Sequence, residues 1–169
     1  MDKSLLYEGL EMNHDEKLEQ LDALLKNAEA DYTILKNETT ITSAAQGAAL
    51  YGISLSETTP TLIIKKEGEY IAAIICGNTR ISFKKLKEVL NAKDATLADP
   101  ETVFKMTGAR IGEVSLINPA LKTIIDRNVL KNKDCYGGCG TPKATLRINP
   151  ADLVKITHAQ ILDFVEIRS

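Results

Sequence analysis

Apolar residues first recur at helical spacing at Leu18, Leu21, Leu24, Leu25 and Ala28, which predicts an amphipathic helix running to about residue 30. Asn13, with Glu16 three residues on, reads as its capping box. A short polar strand is expected at 32–35. Thr42 or Ser43 opens a second helix, SAAQGAALY, closed by Gly52, and its small side chains imply close packing against a neighbour. The period then turns to that of β structure. Residues 61–64 and 70–76 flank Lys65-Lys66-Glu67-Gly68-Glu69, the pattern of a hairpin. Ser82 caps a helix over 83–90, and a short buried strand is expected at 95–98. Asp99-Pro100-Glu101 is a helix start by cap, proline and first-turn acid, with Gly108 as the stop. Residues 114–117 and 121–126 read as a strand pair around Asn118-Pro119. Residues 131–141 read as a glycine-rich loop, 144–148 as a strand, 151–156 as a last helix after Asn149-Pro150, and 164–167 as an edge strand.

Short strands with single helices between them imply a mixed α/β fold of α+β type: one curved, mostly antiparallel sheet with helices packed around it. The chain has 169 residues, enough for one domain with a core of its own. Its hydrophobic fraction of 44% and charged fraction of 26% exclude whole-chain disorder. No stretch reaches the ~20 apolar residues of a membrane helix, and MDKSLLYEGLEMNHDEK lacks the apolar centre of a signal peptide, so a cytoplasmic location is expected. Three cysteines, an odd number, fit a reducing compartment. Cys135 and Cys139 form one CxxxC pair, and the two histidines lie far from it, which does not fit a structural zinc site. GxGxxG after a strand, the P-loop, HExxH and GxSxG are all missing, so the usual dinucleotide, ATP, zinc-protease and serine-hydrolase readings have no support.

The net charge of −2 is unevenly spread. Residues 1–31 carry nine acids and three bases, a net of −6, and residues 32–169 carry 14 acids and 18 bases, a net of +4. The body is therefore mildly basic and compatible with a phosphate-bearing partner. Lys84, Lys85 and Lys87 form either such a contact or a solvated helix face. Arg80 and Arg110 are further candidates for phosphate contact.

From about residue 18 to 166 the order of segments resembles the YbaK domain, the editing domain associated with prolyl-tRNA synthetases. The pieces are ITSAAQGAALYG, the strand TLII, the run YIAAIICGNTRI, the helix SFKKLKEVL, the segment LADPETVFKMTGARIGEVSLIN, the strand and turn LKTIIDRNVL, and CYGGCGTPKATLRINPADL. Thr107-Gly108, Gly112 and Ser115 match the family's Thr-Gly and Gly-x-x-x-Pro region. The resemblance implies a YbaK-like domain over 15–169 behind an N-terminal extension, 1–14. It implies a free-standing aminoacyl-tRNA deacylase that hydrolyses the ester of mischarged tRNA, for instance tRNA for proline, without metal or cofactor. Mischarged tRNA and an aminoacyl-tRNA synthetase would be its partners.

In that family the segment aligned with 112–116 offers backbone N–H groups to the developing oxyanion. Gly112 and Ser115 are therefore the catalytic candidates. Glu113, Val114, Leu116, Gly138, Cys139, Gly140 and Pro60 are the candidate substrate contacts. Asp126 reads either as a ligand for the substrate's free amine or as a turn aspartate. Two positions depart from the family: its usual Lys before the TLII strand is Pro60, and the Pro of Gly-x-x-x-Pro is Leu116. The first departure implies an alternative, a catalytically impaired relative that binds tRNA, a nucleotide-like ligand or a protein partner.

Overall fold

A computed structural model of the protein describes residues 12–168. Each helix begins on a residue able to accept an orphan amide N–H. Helix α1 (His14–Asn27) starts at Asn13, whose Oδ1 accepts from the Glu16 N–H at 2.9 Å. The Glu16 carboxylate answers through the Asn13 side-chain amide at 3.2 Å. Helix α2 (Ala44–Tyr51) is capped by Ser43 and closed by Gly52 at φ +64°, and α3 (Phe83–Leu90) is capped by Ser82. Helix α4 (Pro100–Thr107) runs from Asp99 to Gly108 at φ +74°, and α5 (Pro150–Thr157) starts from Asn149.

The strands are β1 (Tyr32–Lys36), β2 (Thr61–Lys66), β3 (Glu69–Ile74), β4 (Thr79–Ile81) and β5 (Ala95–Leu97), followed by β6 (Lys122–Asp126), β7 (Cys135–Gly138), β8 (Ala144–Ile148), β9 (Gln160–Leu162) and β10 (Val165–Ile167). The mixed α/β class and the prevalence of antiparallel pairing hold. The one curved sheet expected from the sequence is instead divided into three hydrogen-bonded groups, β5-β2-β3-β6-β9, β1-β8-β7 and β10-β4. Among the strand pairings of the described residues, β3–β6 and β6–β9 are the parallel ones. Isolated bridges from Thr58 to Tyr136 and from Ser115 to Gly138 tie β7 to its neighbours.

Alternation along the β2–β3 hairpin builds two of the three cores. The pair Ile64 and Ile71 faces a cluster with Leu86 of α3 and Phe164, while Ile63 and Ala72 face Val103 of α4 and Val114. A third cluster joins Leu21 and Leu25 of α1, Leu146 and Ile148 of β8, Leu153 of α5 and Leu116.

Three expectations need correction. Residues 114–117 are not a strand of a hairpin, because Ser115 makes only its bridge to Gly138 while its Oγ accepts from the Ile117 N–H at 3.1 Å and turns the chain. The supposed loop 131–141 contains β7, whose Gly137 and Gly138 pair with Leu146 and Thr145 of β8. In β5, Ala95 is buried but Leu97 is 55% exposed, since this strand is a sheet edge. The sequence pattern also passed over the short strands β4 and β9. Among the described residues no helix is long and apolar enough to cross a membrane.

Candidate functional site

Two glycine-bearing segments and one side of α2 meet at one pocket. It is lined by Ser43, Gly47 and Tyr51 on one side and by Thr58, Thr59 and Pro60 on another. Gly112 and Glu113 close it from the loop after α4, and Tyr136, Gly137 and Gly138 from β7. Its volume is about 60 Å³, several times the roughly 10–15 Å³ that one water needs on that measure.

The walls are mostly main chain, which dictates the glycines. A Cβ on Gly112 would lie 2.0 Å from the Thr42 carbonyl oxygen, and its φ of +91° disfavours any other residue. A Cβ on Gly138 would lie 2.2 Å from the Val114 oxygen, and one on Gly137 would lie 2.5 Å from Leu116 Cγ and 2.7 Å from the Thr59 oxygen. The two loops are stitched by backbone bonds: Leu116 N–H donates to Gly138 O and Gly140 N–H donates to Glu113 O, each at 3.0 Å. Glu113 N–H turns back to Arg110 O at 2.9 Å. Within the described residues the amide N–H groups of Gly112, Val114 and Ser115 find no acceptor.

Of the residues the sequence singled out, Gly112, Glu113, Gly138 and Pro60 line the pocket. Val114, Leu116, Cys139 and Gly140 lie behind it. Leu116 is fully buried in the core, Val114 and Cys139 are buried, and Gly140 supports the facing loop through its N–H. Ser115 is half-buried and engaged in its turn, where Asn118 Nδ2 also donates to its carbonyl at 2.7 Å. Asp126 is the turn aspartate: fully buried, it accepts from Asn128 N–H at 3.0 Å and Phe164 N–H at 3.4 Å, and it is not on the pocket wall. Lys65, Lys66 and the Lys84, Lys85, Lys87 run are also outside the wall, and Arg80 pairs with Glu166 at 2.8 Å.

The sequence did not point to Tyr51 and Tyr136, whose rings stack with centroids 6.5 Å apart. The Tyr51 hydroxyl donates to Asn37 Oδ1 at 2.6 Å, and Thr145 donates to the same atom at 2.9 Å. Burial pushes the Tyr51 phenol above its ordinary range, so it remains a neutral donor. The signal that could have found it is the lone aromatic side chain at the end of AAQGAALY. Thr58, Thr59, Thr141 and Thr145 complete a hydroxyl-rich lining that carried no motif. Glu113 is the one carboxylate among the lining residues. On the rim, Arg110 and Lys143 are exposed and make no ion pair among the described residues.

The three thiols are chemically quiet. Burial raises Cys135 and Cys139 to about 12 and Cys76 to about 11, so none is a thiolate at neutral pH. No cluster of three or more metal-ligating side chains occurs among the described residues.

Known proteins resemble this chain in sequence and fold. The chain is 34% identical over 83 residues to the proline–tRNA ligase of Caldicellulosiruptor bescii, covering 48% of this chain but 14% of that enzyme. It is 25% identical over 138 residues to the uncharacterized protein YwhH of Bacillus subtilis, covering 80% of this chain and 86% of that one. The crystal structure of the hypothetical protein APE2540 superposes with a TM-score of 0.81 at 31% identity, covering 89% of this chain and 99% of that one. The family model for the aminoacyl-tRNA editing domain matches residues 38–156, which takes in α2, both glycine loops and every residue of the pocket wall, and the chain therefore belongs to the aminoacyl-tRNA editing domain family.

Proposed function

We propose that the protein is a free-standing aminoacyl-tRNA deacylase that hydrolyses the ester of mischarged tRNA, with tRNA for proline the first candidate. The observation that carries this reading is the acceptor-less N–H of Gly112 on the wall of a pocket sized for a small side chain, with the acceptor-less N–H groups of Val114 and Ser115 next along the same loop. Water adds to the ester carbonyl carbon, and the carbonyl electron pair moves onto oxygen, where such donors stabilise the developing charge. The tetrahedral intermediate then collapses, the bond to the ribose oxygen breaks, and a proton passes to that oxygen, leaving the free amino acid and uncharged tRNA. An activated ester held in place needs little further help from side chains. Glu113 is the group to pair with the substrate's ammonium, and Arg110 and Lys143 are the cations on the rim to meet backbone phosphates. Similarity to proline–tRNA ligases supports the choice of tRNA, and the match over most of YwhH supports a protein acting alone.

The test is release of amino acid from a panel of mischarged tRNAs, with alanyl- and cysteinyl-tRNA for proline first. No hydrolysis above buffer for any member refutes the proposal. Pro60 favours a second reading, a relative that binds tRNA without cleaving it, because no cation stands on the wall at that position. Salt-sensitive tRNA binding without hydrolysis, together with activity gained by Pro60→Lys, would establish that second reading.

A further inference from the structure

The family match begins at residue 38, yet a group from α1 reaches the site. Lys17 Nζ donates to Gly108 O at 2.8 Å and to Gly140 O at 3.3 Å. These carbonyls belong to the two segments that form the pocket. Gly108 ends α4 and leads into Gly112 and Glu113, while Gly140 follows Gly138 in the facing loop. One ammonium thus spans the mouths of both loops from behind, beside the Gly140 N–H to Glu113 O bond. It also places a cation at the C-terminal end of α4, where the last carbonyls are unpartnered and the helix dipole is negative. Burial holds the Lys17 amine below its ordinary range and the nearby Glu113 carboxylate raises it again. Helix α1 itself is fixed by Leu21 and Leu25 in the core, so the lysine is presented from a rigid element.

We infer that Lys17 is a positioning residue of the pocket: it clamps the 108–113 and 138–140 segments to each other at the spacing that frames the pocket. The inference rests on the deacylase reading for its kinetic consequence and on geometry alone for its structural one. It also means that the family-matched segment is incomplete without the acidic helix that precedes it.

The experiment compares the full chain with Lys17→Met, Lys17→Arg and the control Lys26→Met, which removes a lysine of the same helix that pairs with Asp22 at 2.9 Å and touches neither glycine segment among the described residues. Two readouts are taken, deacylation kinetics and amide hydrogen exchange. Loss of a charged clamp is expected to lower kcat of Lys17→Met roughly tenfold or more, with KM nearly unchanged. Exchange should quicken by a similar factor at 108–116 and 138–141 and stay slow in β3 and β6. Lys17→Arg, which keeps two donors and the charge, should recover most of both, and Lys26→Met should match the parent. Unchanged loop exchange in Lys17→Met overturns the inference. So does an increase spread evenly over the sheet, which marks general destabilisation. If the parent protein hydrolyses no aminoacyl-tRNA, the deacylase reading fails, and the exchange pattern still decides the clamp.

Discussion

The replacement Gly138→Ala puts the main-chain character of the site to a quantitative test. Its Cβ would stand 2.2 Å from the Val114 oxygen, 2.9 Å from the Val114 carbonyl carbon and 3.0 Å from the Glu113 oxygen. A carbon and a carbonyl oxygen need roughly 3.3 Å, so the 113–115 segment must retreat by about 1 Å. The obstructing atoms are backbone, and that backbone is held by the Leu116–Gly138 and Gly140–Glu113 bonds at 3.0 Å. No rotamer change relieves the clash. Forcing a methyl into such a contact costs about 1–3 kcal/mol of stability. Displacing the oxyanion donors by about 1 Å costs on the order of 100-fold in rate. The assay pairs urea denaturation with single-turnover deacylation of mischarged tRNA. Gly68→Ala is the control: its Cβ meets nothing within 4 Å and its φ is +84°, so it should lose about 1–2 kcal/mol to left-handed strain while keeping the parent's rate. If Gly138→Ala keeps the parent's kcat, the 112–116 backbone does not stabilise the transition state.

Three further outcomes follow from the same geometry. Gly47→Ala is expected to raise stability by about 0.5–1 kcal/mol, because a mid-helix glycine is replaced and its Cβ would sit an ordinary 3.7 Å from Ile41 Cγ2. Its methyl also narrows the pocket, so KM should rise more for larger aminoacyl groups, and a lower urea midpoint would contradict the packing. Asp126→Ala should cost about 1–2 kcal/mol as a lost cap with kcat and KM unchanged, whereas a raised KM at parental stability would make it an ammonium ligand after all. The thiols set an alkaline limit. Cys76, Cys135 and Cys139 have folded pKa values of about 11, 12 and 12 against an ordinary 9.0, so the folded state holds their protons longer than the unfolded state. Their contribution is complete below pH 9 and is lost as pH rises through the 9–12 window. At pH 10 the loss is on the order of 1 kcal/mol for each thiol. Urea midpoints at pH 8 and 10 for the parent and for Cys139→Ala measure it, and an equal pH dependence in the two refutes the assignment.

What could be read in advance was what neighbouring residues decide among themselves. Ser82, Asp99-Pro100 and Asn149-Pro150 each start a helix where the sequence places it, because a cap acts on amides two or three residues away. Strand β7 could not be read that way. Cys-Tyr-Gly-Gly has little intrinsic strand preference, and it is extended because β8 pairs with it on one side while Val114 and Leu116 leave room only for glycine on the other. The site was legible through its glycines and their chain neighbours, together with Pro60 at the start of the TLII strand. The ring stack of Tyr51 on Tyr136 joins residues 85 positions apart by tertiary packing, and the Lys17 contacts span 91 and 123 positions. The same distinction explains one departure from the family pattern. A proline at position 116 would fix φ but carries no N–H, and here Leu116 N–H makes the 3.0 Å bond to Gly138 while its side chain is fully buried beneath Gly137. This chain holds the turn by a cross-loop bond and by packing, so the loop at Leu116 needs no proline to fix it. Pro60 has no such compensation on the wall, since its carbonyl accepts from Ile75 N–H at 3.2 Å and its ring brings no donor. The two positions therefore bear on different properties: position 116 on how the 112–116 loop is held, and position 60 on the charge present at the pocket wall.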